Sequence, residues 1–267
     1  GTLRQRLGEL QSGADNGVWA RMFGGKLGGD EFTNKYKTYQ LGYDAQAGEW
    51  RVGAAYEYSD GSLNYTSGSG ENKIGAISLY GTLQGKDNSA LDIVVKRGRI
   101  YGDMDIYGKY SDQGDYSTDA TSIGVEYSKR FDGGNNVYFE PQAQLTFGRI
   151  DGYDYVSAKG IRVAYDDINS LIGRLGIVGG KAFSRGDVYV KASLLHEFSG
   201  DSSVTMLAAN GESYMEDQDY GDTWLEVGIG GNITLGKNCE LYGEVERSFG
   251  GDVTKNWGAN VGFRYSF

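Results

Sequence analysis

Along much of its length the chain changes side-chain character at every second residue, the spacing at which a β-strand sends neighbours to opposite faces. In "TWLEVGIGGNITLG" the odd positions Leu225, Val227, Ile229, Ile233 and Leu235 are apolar, whereas Glu226, Gly228, Gly230, Asn232 and Thr234 are polar or tiny. "NVYFEPQAQLTFG" alternates Val137, Phe139, Pro141, Ala143, Leu145 and Phe147 with Tyr138, Glu140, Gln142, Gln144 and Thr146. Near the C-terminus, Trp257, Ala259, Val261, Phe263, Tyr265 and Phe267 alternate with Gly258, Asn260, Gly262, Arg264 and Ser266. "TYQLGYDAQ" and "SIGVEYSKRF" keep the same period. Each segment therefore has one apolar face and one wet face.

A soluble sandwich also alternates, so segment length decides between solvents. These runs last 9 to 14 residues, whereas ordinary strands average about 5 to 6 and membrane-spanning strands need about 9 to 11. The aliphatic face carries no charge through the middle of each run. Aromatics gather near the ends, with Trp19, Trp50, Trp224 and Trp257 read as a girdle. About twelve segments are predicted, near residues 17–25, 36–46, 50–60, 72–84, 89–101, 116–131, 135–151, 166–183, 187–200, 221–236, 238–250 and 255–267. An even number suits an all-β transmembrane barrel of antiparallel up-and-down strands, closed so that no edge is left unpaired. Short turns ("AGE", "GKDN", "DGGN", "SRGD", "GKN") alternate with long stretches such as "YGDMDIYGKYSDQGDY", "GYDYVSAKGIRVAYDD" and "DSSVTMLAANGESYMEDQDYG". That asymmetry predicts periplasmic turns, extracellular loops, and both barrel ends on the periplasmic side.

Composition adjusts this picture in a few places. A mean hydropathy of −0.48 would suit a soluble protein, but a barrel that shows lipid only every second residue averages the same way. Gly is 44 and Tyr 21 against one Pro, in keeping with a single β-domain. The net charge of −10 and the lack of a basic tract argue against nucleic acid as a partner. Cys239 stands alone and cannot form an intrachain disulfide. No charged and apolar leader opens the sequence, so a signal peptide is expected to have been removed or to lie upstream. Residues 1–13 depart from period two. In "TLRQRLGELQSG", Leu3, Leu7 and Leu10 fall at i, i+4 and i+7 among good helix formers including Arg4 and Arg6, and Ser12-Gly13 ends the run. A helix of about 2 to 3 turns is marginal alone in water, and the barrel lumen is the surface expected to hold it. The domain reading is thus a pore-helix segment over 1–13 and an outer-membrane barrel over 14–267.

The candidate chemistry is sparse. His196 is the only histidine, and it shares the lipid-facing parity of Val188, Val190, Ala192 and Leu194 near the outer end of its strand. A Ser-His or Asp-His hydrolase would have to use it, and a catalytic imidazole should not face lipid. "KLGGDEFT" and "SGSGEN" lack a strand-to-helix phosphate cradle, and "DGSLN" and "DGGNN" lack the full ligand spacing of a calcium loop. No catalytic residue, cofactor or metal site is expected. The wet face is more informative: Glu126, Glu140, Gln142, Gln144, Glu226, Asn232, Glu240, Glu244, Glu246 and Arg264 share lumen parity. Arg4 and Arg6 could pair with some of these acids in a confined space where unpaired charge is costly.

Taken in order, "TLRQRLGEL", "GVWARMFGG", "YFEPQAQLTFGRI", "LIGRLGIVGGKAF", "LLHEF", "YGEVERSFGG" and the closing "NVGFRYSF" resemble the C-terminal β-domain of autotransporters, the type V secretion proteins, across essentially the whole chain. The resemblance implies a twelve-stranded barrel with the leading helix in its pore, coupled to export of an N-terminal passenger. It also implies that Asn260, Gly262, Tyr265 and Phe267 match a polar-x-Gly-x-x-aromatic-x-aromatic signal read by the barrel-assembly machinery. Physically this is an unpaired last strand offered to a template edge, with aromatic anchors. In the subgroup resembling serine protease autotransporters of enterobacteria, two asparagines that are cut inside the barrel precede the leucine matched by Leu3. Gly1 and Thr2 stand there instead, so the resemblance does not carry self-cleavage over. The expected protein is a monomeric translocator in the outer membrane of a Gram-negative bacterium, in contact with membrane lipid and lipopolysaccharide. The competing reading is a free-standing porin or a loop-displaying adhesin barrel.

Overall fold

The computed structural model describes residues 16–29, 32–66, 68–108, 111–199, 201–207, 213–219, 222–251 and 254–267. The leading helix expected over 1–13, with Leu3, Arg4, Arg6, Leu7 and Leu10, lies outside the described residues. The strands are β1 (Gly17–Gly28), β2 (Phe32–Ala47), β3 (Trp50–Tyr65), β4 (Gly68–Gln84), β5 (Ser89–Ile106), β6 (Asp112–Lys129), β7 (Phe131–Gly134), β8 (Val137–Ile150), β9 (Tyr153–Val156), β10 (Arg162–Tyr165), β11 (Ile168–Phe183), β12 (Gly186–Glu197), β13 (Asp201–Leu207), β14 (Ser213–Asp219), β15 (Thr223–Leu235), β16 (Cys239–Phe249) and β17 (Thr254–Ser266). Twelve of these form a closed antiparallel ring in the order β1-β2-β3-β4-β5-β6-β8-β11-β12-β15-β16-β17 and back to β1. The seam runs from Gly17 opposite Ser266 to Gly28 opposite Thr254, with one irregularity between Lys26 and Leu27. Strand β7 only lengthens the β6–β8 hairpin.

The ring inverts the usual distribution of side chains. Leu175 is 66% exposed and Ile229 63% on the outer wall, while Glu126 and Asp44 on the inner wall are 0% exposed. Hydrocarbon outside and a polar lumen inside account for both. One rim carries the tight turns. There Gly48, Asn88, Gly134, Asn135, Asn136 and Gly236 take positive φ values, the conformation that makes Gly and Asn turn residues. In one of these turns Ser89 Oγ donates to Asp87 Oδ1 at 2.5 Å; this bond, with Lys129 at 3.3 Å, holds the Asp87 carboxyl below the usual aspartate range. The short turns mark the periplasmic rim.

The opposite rim extends further than sequence periodicity predicts. Strands β5 and β6 each run 18 residues, roughly 45 Å of height at ordinary rise and tilt, against an apolar band about 25 Å tall. The stretch 101–116, expected to be a loop, is mostly ladder: β5 continues to Ile106 and β6 begins at Asp112, opposite it. The stretches 152–167 and 201–221 contribute strands to a second sheet, in the order β14-β13-β10-β9. The β9–β10 hairpin rests on the projecting part of β6. Tyr153 stacks on Tyr116 (4.4 Å) and on Tyr165 (4.7 Å), and Ala158 N bonds Gln113 O at 2.9 Å.

Candidate functional site: the charged lumen and the closing seam

Alternation sends polar parity inward on every barrel strand, and the side chains that meet there are paired. Asp44, on β2, is the hub nearest the seam. Arg264 on β17 donates to both of its oxygens, Nη1 to Oδ2 at 2.9 Å and Nη2 to Oδ1 at 2.6 Å. Arg51 Nη1 reaches Oδ1 at 3.0 Å and the Tyr80 hydroxyl reaches Oδ2 at 2.7 Å. Tyr80 in turn accepts from Trp19 Nε1 at 2.7 Å. Arg264 crosses β1 at Gly17, where a Cβ would lie 2.8 Å from its Nη2. Residues 220 apart in sequence are thereby clasped across the closure.

Further round the wall, Arg174 on β11 spends its fork on Gln144 Oε1 (2.9 Å), Gln142 Oε1 (3.0 Å) and Ser193 Oγ (2.9 Å), with Glu126 Oε2 at 3.5 Å. This use of a planar, multi-donor cation satisfies several acceptors at once. Gln142 Nε2 donates to Glu140 Oε2 at 2.8 Å, and Arg130 Nε lies 3.8 Å from Glu140 Oε1. Lys191 is bonded to Glu244 and lies 3.1 Å from Glu246 Oε2, and the Tyr189 hydroxyl donates to Glu244 Oε2 at 2.5 Å. Asp187 accepts from the Tyr138 hydroxyl and from Asn232.

Aromatic rings line the periplasmic part of the lumen, each opposite a glycine. Trp19 faces Gly42, Tyr80 faces Gly53, Tyr138 faces Gly180, Tyr189 faces Gly230 and Tyr242 faces Gly262. Directly paired residues share a face, so the bare α-carbon leaves room for the ring to lie over the neighbouring strand. At Gly262 a Cβ would sit 2.0 Å from Tyr242 Cζ.

The residues expected in the lumen have the following places. Glu126, Glu140, Gln142, Gln144, Glu226, Glu244 and Arg264 are buried there, Glu246 joins Lys191, and Glu240 stands opposite Arg264 in the β16–β17 register. Of the four tryptophans read as a girdle, Trp257 is outward and 52% exposed, but Trp19 is 1% exposed inside. Trp224 also shares the inward parity of Glu226, since Leu225 between them is exposed. Both tryptophans carry a polar N–H that an apolar solvent cannot satisfy. Asp44, Arg51, Arg174, Lys191 and Asp187 were not among the expected set, although parity alone would have found them: Asp44 follows Thr38, Gln40 and Gly42.

His196 projects outward near the extracellular end of β12, its Nδ1 2.5 Å from Thr223 Oγ1 and its ring edge-on to Phe198 at 4.6 Å. Of the terminal residues, Asn260 is 8% exposed and turned inward, while Tyr265 and Phe267 are outward at 39% and 60%. Phe267 stacks on Tyr43 (6.2 Å), and its N–H bonds Asn16 O at 2.9 Å.

Comparison with known proteins agrees with this architecture. The autotransporter β-domain family model matches residues 18–246. The pertactin autotransporter of Bordetella parapertussis is 30% identical over 283 residues, covering 99% of this chain and 30% of the relative. The chain thus spans about a third or less of that relative. The crystal structure of the β-domain of the Bordetella autotransporter BrkA superposes with a TM-score of 0.78 at 26% identity, covering 95% of this chain and all of that one. The translocator domain of NalP from Neisseria meningitidis shares the fold, with a TM-score of 0.77 at 14% identity over 98% of this chain and 94% of that one. A closed ring of twelve strands, a charged lumen and a match over most of its length place this chain in the autotransporter β-domain family, whose members are translocator barrels of the Gram-negative outer membrane.

Proposed function

We propose that the barrel carries its own N-terminal passenger across the outer membrane, with the segment 2–11 docked as a helix in the lumen and Arg4 and Arg6 set against the acidic wall. The observation that carries this reading is the imbalance of buried charge: among the described residues ten acids are buried (Asp44, Glu57, Asp92, Asp112, Glu126, Glu140, Asp187, Glu197, Glu226 and Glu244) against five bases (Arg21, Arg51, Arg174, Lys191 and Arg264). A lumen with excess carboxylate favours a basic occupant over an acidic one. The barrel acts as a conduit: its one histidine, which a Ser-His or Asp-His hydrolase would need, sits exposed on the outer wall. It works as a single chain, because closure leaves no strand edge to share within the membrane-spanning ring. Asn260, Gly262, Tyr265 and Phe267 form the signal by which the barrel-assembly machinery takes the last strand.

The test is conductance in planar bilayers. The purified chain is expected to conduct poorly, and deletion of residues 1–13 to raise its conductance severalfold. Equal conductance with and without the segment would overturn the plug, and free conduction from the start would favour a porin.

A further inference from the structure

Above the apolar stripe, toward the extracellular rim, part of the outer wall turns basic. Following lipid-facing parity along the strands, the first polar side chain past the apolar residues is Lys26 on β1, Lys37 on β2, Lys73 on β4 and Arg97 on β5, with Lys35 and Arg99 one step beyond. Lys26 stands directly opposite Lys35, and Lys37 opposite Gly24. Within two side-chain steps of the apolar edge three acids share this face: Asp60 on β3, between Lys37 and Lys73 in register, Glu71 beyond Lys73, and Asp119 on β6, 3.7 Å from Arg97 and 3.3 Å from Arg99; Asp103, Asp105 and Asp115 stand on the same face further along β5 and β6. Next to the apolar edge the balance is positive, six bases to three acids, on a chain whose net charge is −10. Lys26, Lys35, Lys37 and Lys73 take part in no ion pair among the described residues, and the side chains of Arg97 and Arg99 are 65% and 51% exposed.

Immediately below, the outward faces of β17, β1, β2 and β3 enclose a shallow groove of about 420 Å³, walled by Met22, Tyr39, Leu41, Tyr56, Tyr58 and Val261 over a floor at Ala20. The groove opens to lipid, one side-chain layer beneath Lys37.

We propose that the basic arc and the groove form a docking site for a phosphorylated glycolipid of the outer leaflet, of the lipid A type, with its phosphates on the arc and an acyl chain in the groove. Charge complementarity and position choose this occupant. The arc lies at the extracellular boundary of the apolar band, and cations at a lipid edge are stable where anionic headgroups meet them. From β1 to β5 it spans roughly 19 Å at ordinary strand spacing, wider than one phosphate reaches and suited to a disaccharide headgroup carrying two.

The experiment titrates the full chain, folded in detergent, with lipid A, with dephosphorylated lipid A and with phosphatidylglycerol. Binding is read by native mass spectrometry and by the shift in thermal midpoint. Lipid A is expected to bind and to raise the midpoint, dephosphorylated lipid A to lose most of both effects, and phosphatidylglycerol to bind more weakly. A K26Q/K35Q/K37Q variant should keep the lipid-free midpoint and bind lipid A roughly tenfold more weakly, a loss of about 1.4 kcal/mol. Equal affinity for lipid A and its dephosphorylated form would overturn the proposal on the unaltered chain alone, whatever the variant does. Equal affinity for phosphatidylglycerol, or unaltered binding by the folded variant, would overturn it as well.

Discussion

A tyrosine ring lying over a neighbouring strand needs a bare α-carbon beneath it, and the Tyr242–Gly262 pair puts a cost on that requirement. Replacing Gly262 with Ala places a methyl 2.0 Å from Tyr242 Cζ, so the ring must leave its seat. Overpacking of this kind costs about 1–3 kcal/mol. G262A is expected to lower the temperature at which the heat-modifiable folded band disappears, and Y242A in the same chain should recover part of the loss. Additive losses would mean that the ring and the glycine are not coupled. Asp44 makes a sharper case, because it is fully buried and holds two guanidinium groups. D44N leaves Arg51 and Arg264 facing an amide, and breaking a buried ion pair from one side costs about 3–5 kcal/mol. Denaturant unfolding in detergent should show D44N far less stable than its parent, with R264Q restoring part of the difference in the double variant; an unchanged midpoint would remove Asp44 from its role as hub.

At the scale of the strand, period two was legible wherever lipid enforced it and illegible wherever it did not. The twelve barrel strands could be read because hydrocarbon forbids charge on the outward parity of residues such as Leu145, Leu175 and Ile229. Past the membrane that constraint ends while the hydrogen-bond ladder continues. The outward positions Asp103 and Asp105 on β5 then look like loop, although each keeps a register partner on β6. Aromaticity misled for a related reason: Trp19 sits near a strand end, as a girdle residue would, yet its parity is that of Arg21 and it points at Tyr80. Composition suggested one address and periodicity the correct one. Strand β17 carries the prediction that belongs to this scale. Its outward anchors Tyr265 and Phe267 are exposed in the finished barrel and contribute little burial there. Before closure, however, the strand's backbone must be satisfied by another edge, since unpaired groups in hydrocarbon cost several kcal/mol each. Changing both aromatics to Ser is therefore expected to reduce the folded band in outer membranes severalfold while leaving refolding in detergent near normal. Normal accumulation in cells would refute the addressing role, and equal defects in both settings would point to plain stability.

For the molecule as a whole, the seam between β1 and β17 carries a consequence in time. Its register pairs join residues near Gly17 to residues near Ser266, and the Arg264–Asp44 clasp reaches across the same boundary. Closing a flexible loop of that length costs roughly 5 kcal/mol in chain entropy before any contact offsets it, and contacts of such sequence separation slow the search for the native state. The same geometry works in reverse once the ring is complete. No terminal strand can fray alone, because each end of the sheet is held by the other, so unfolding must break a whole ladder and a buried ion pair together. The seam makes the barrel slow to form and slower to lose, so its persistence is governed by a barrier as much as by a depth.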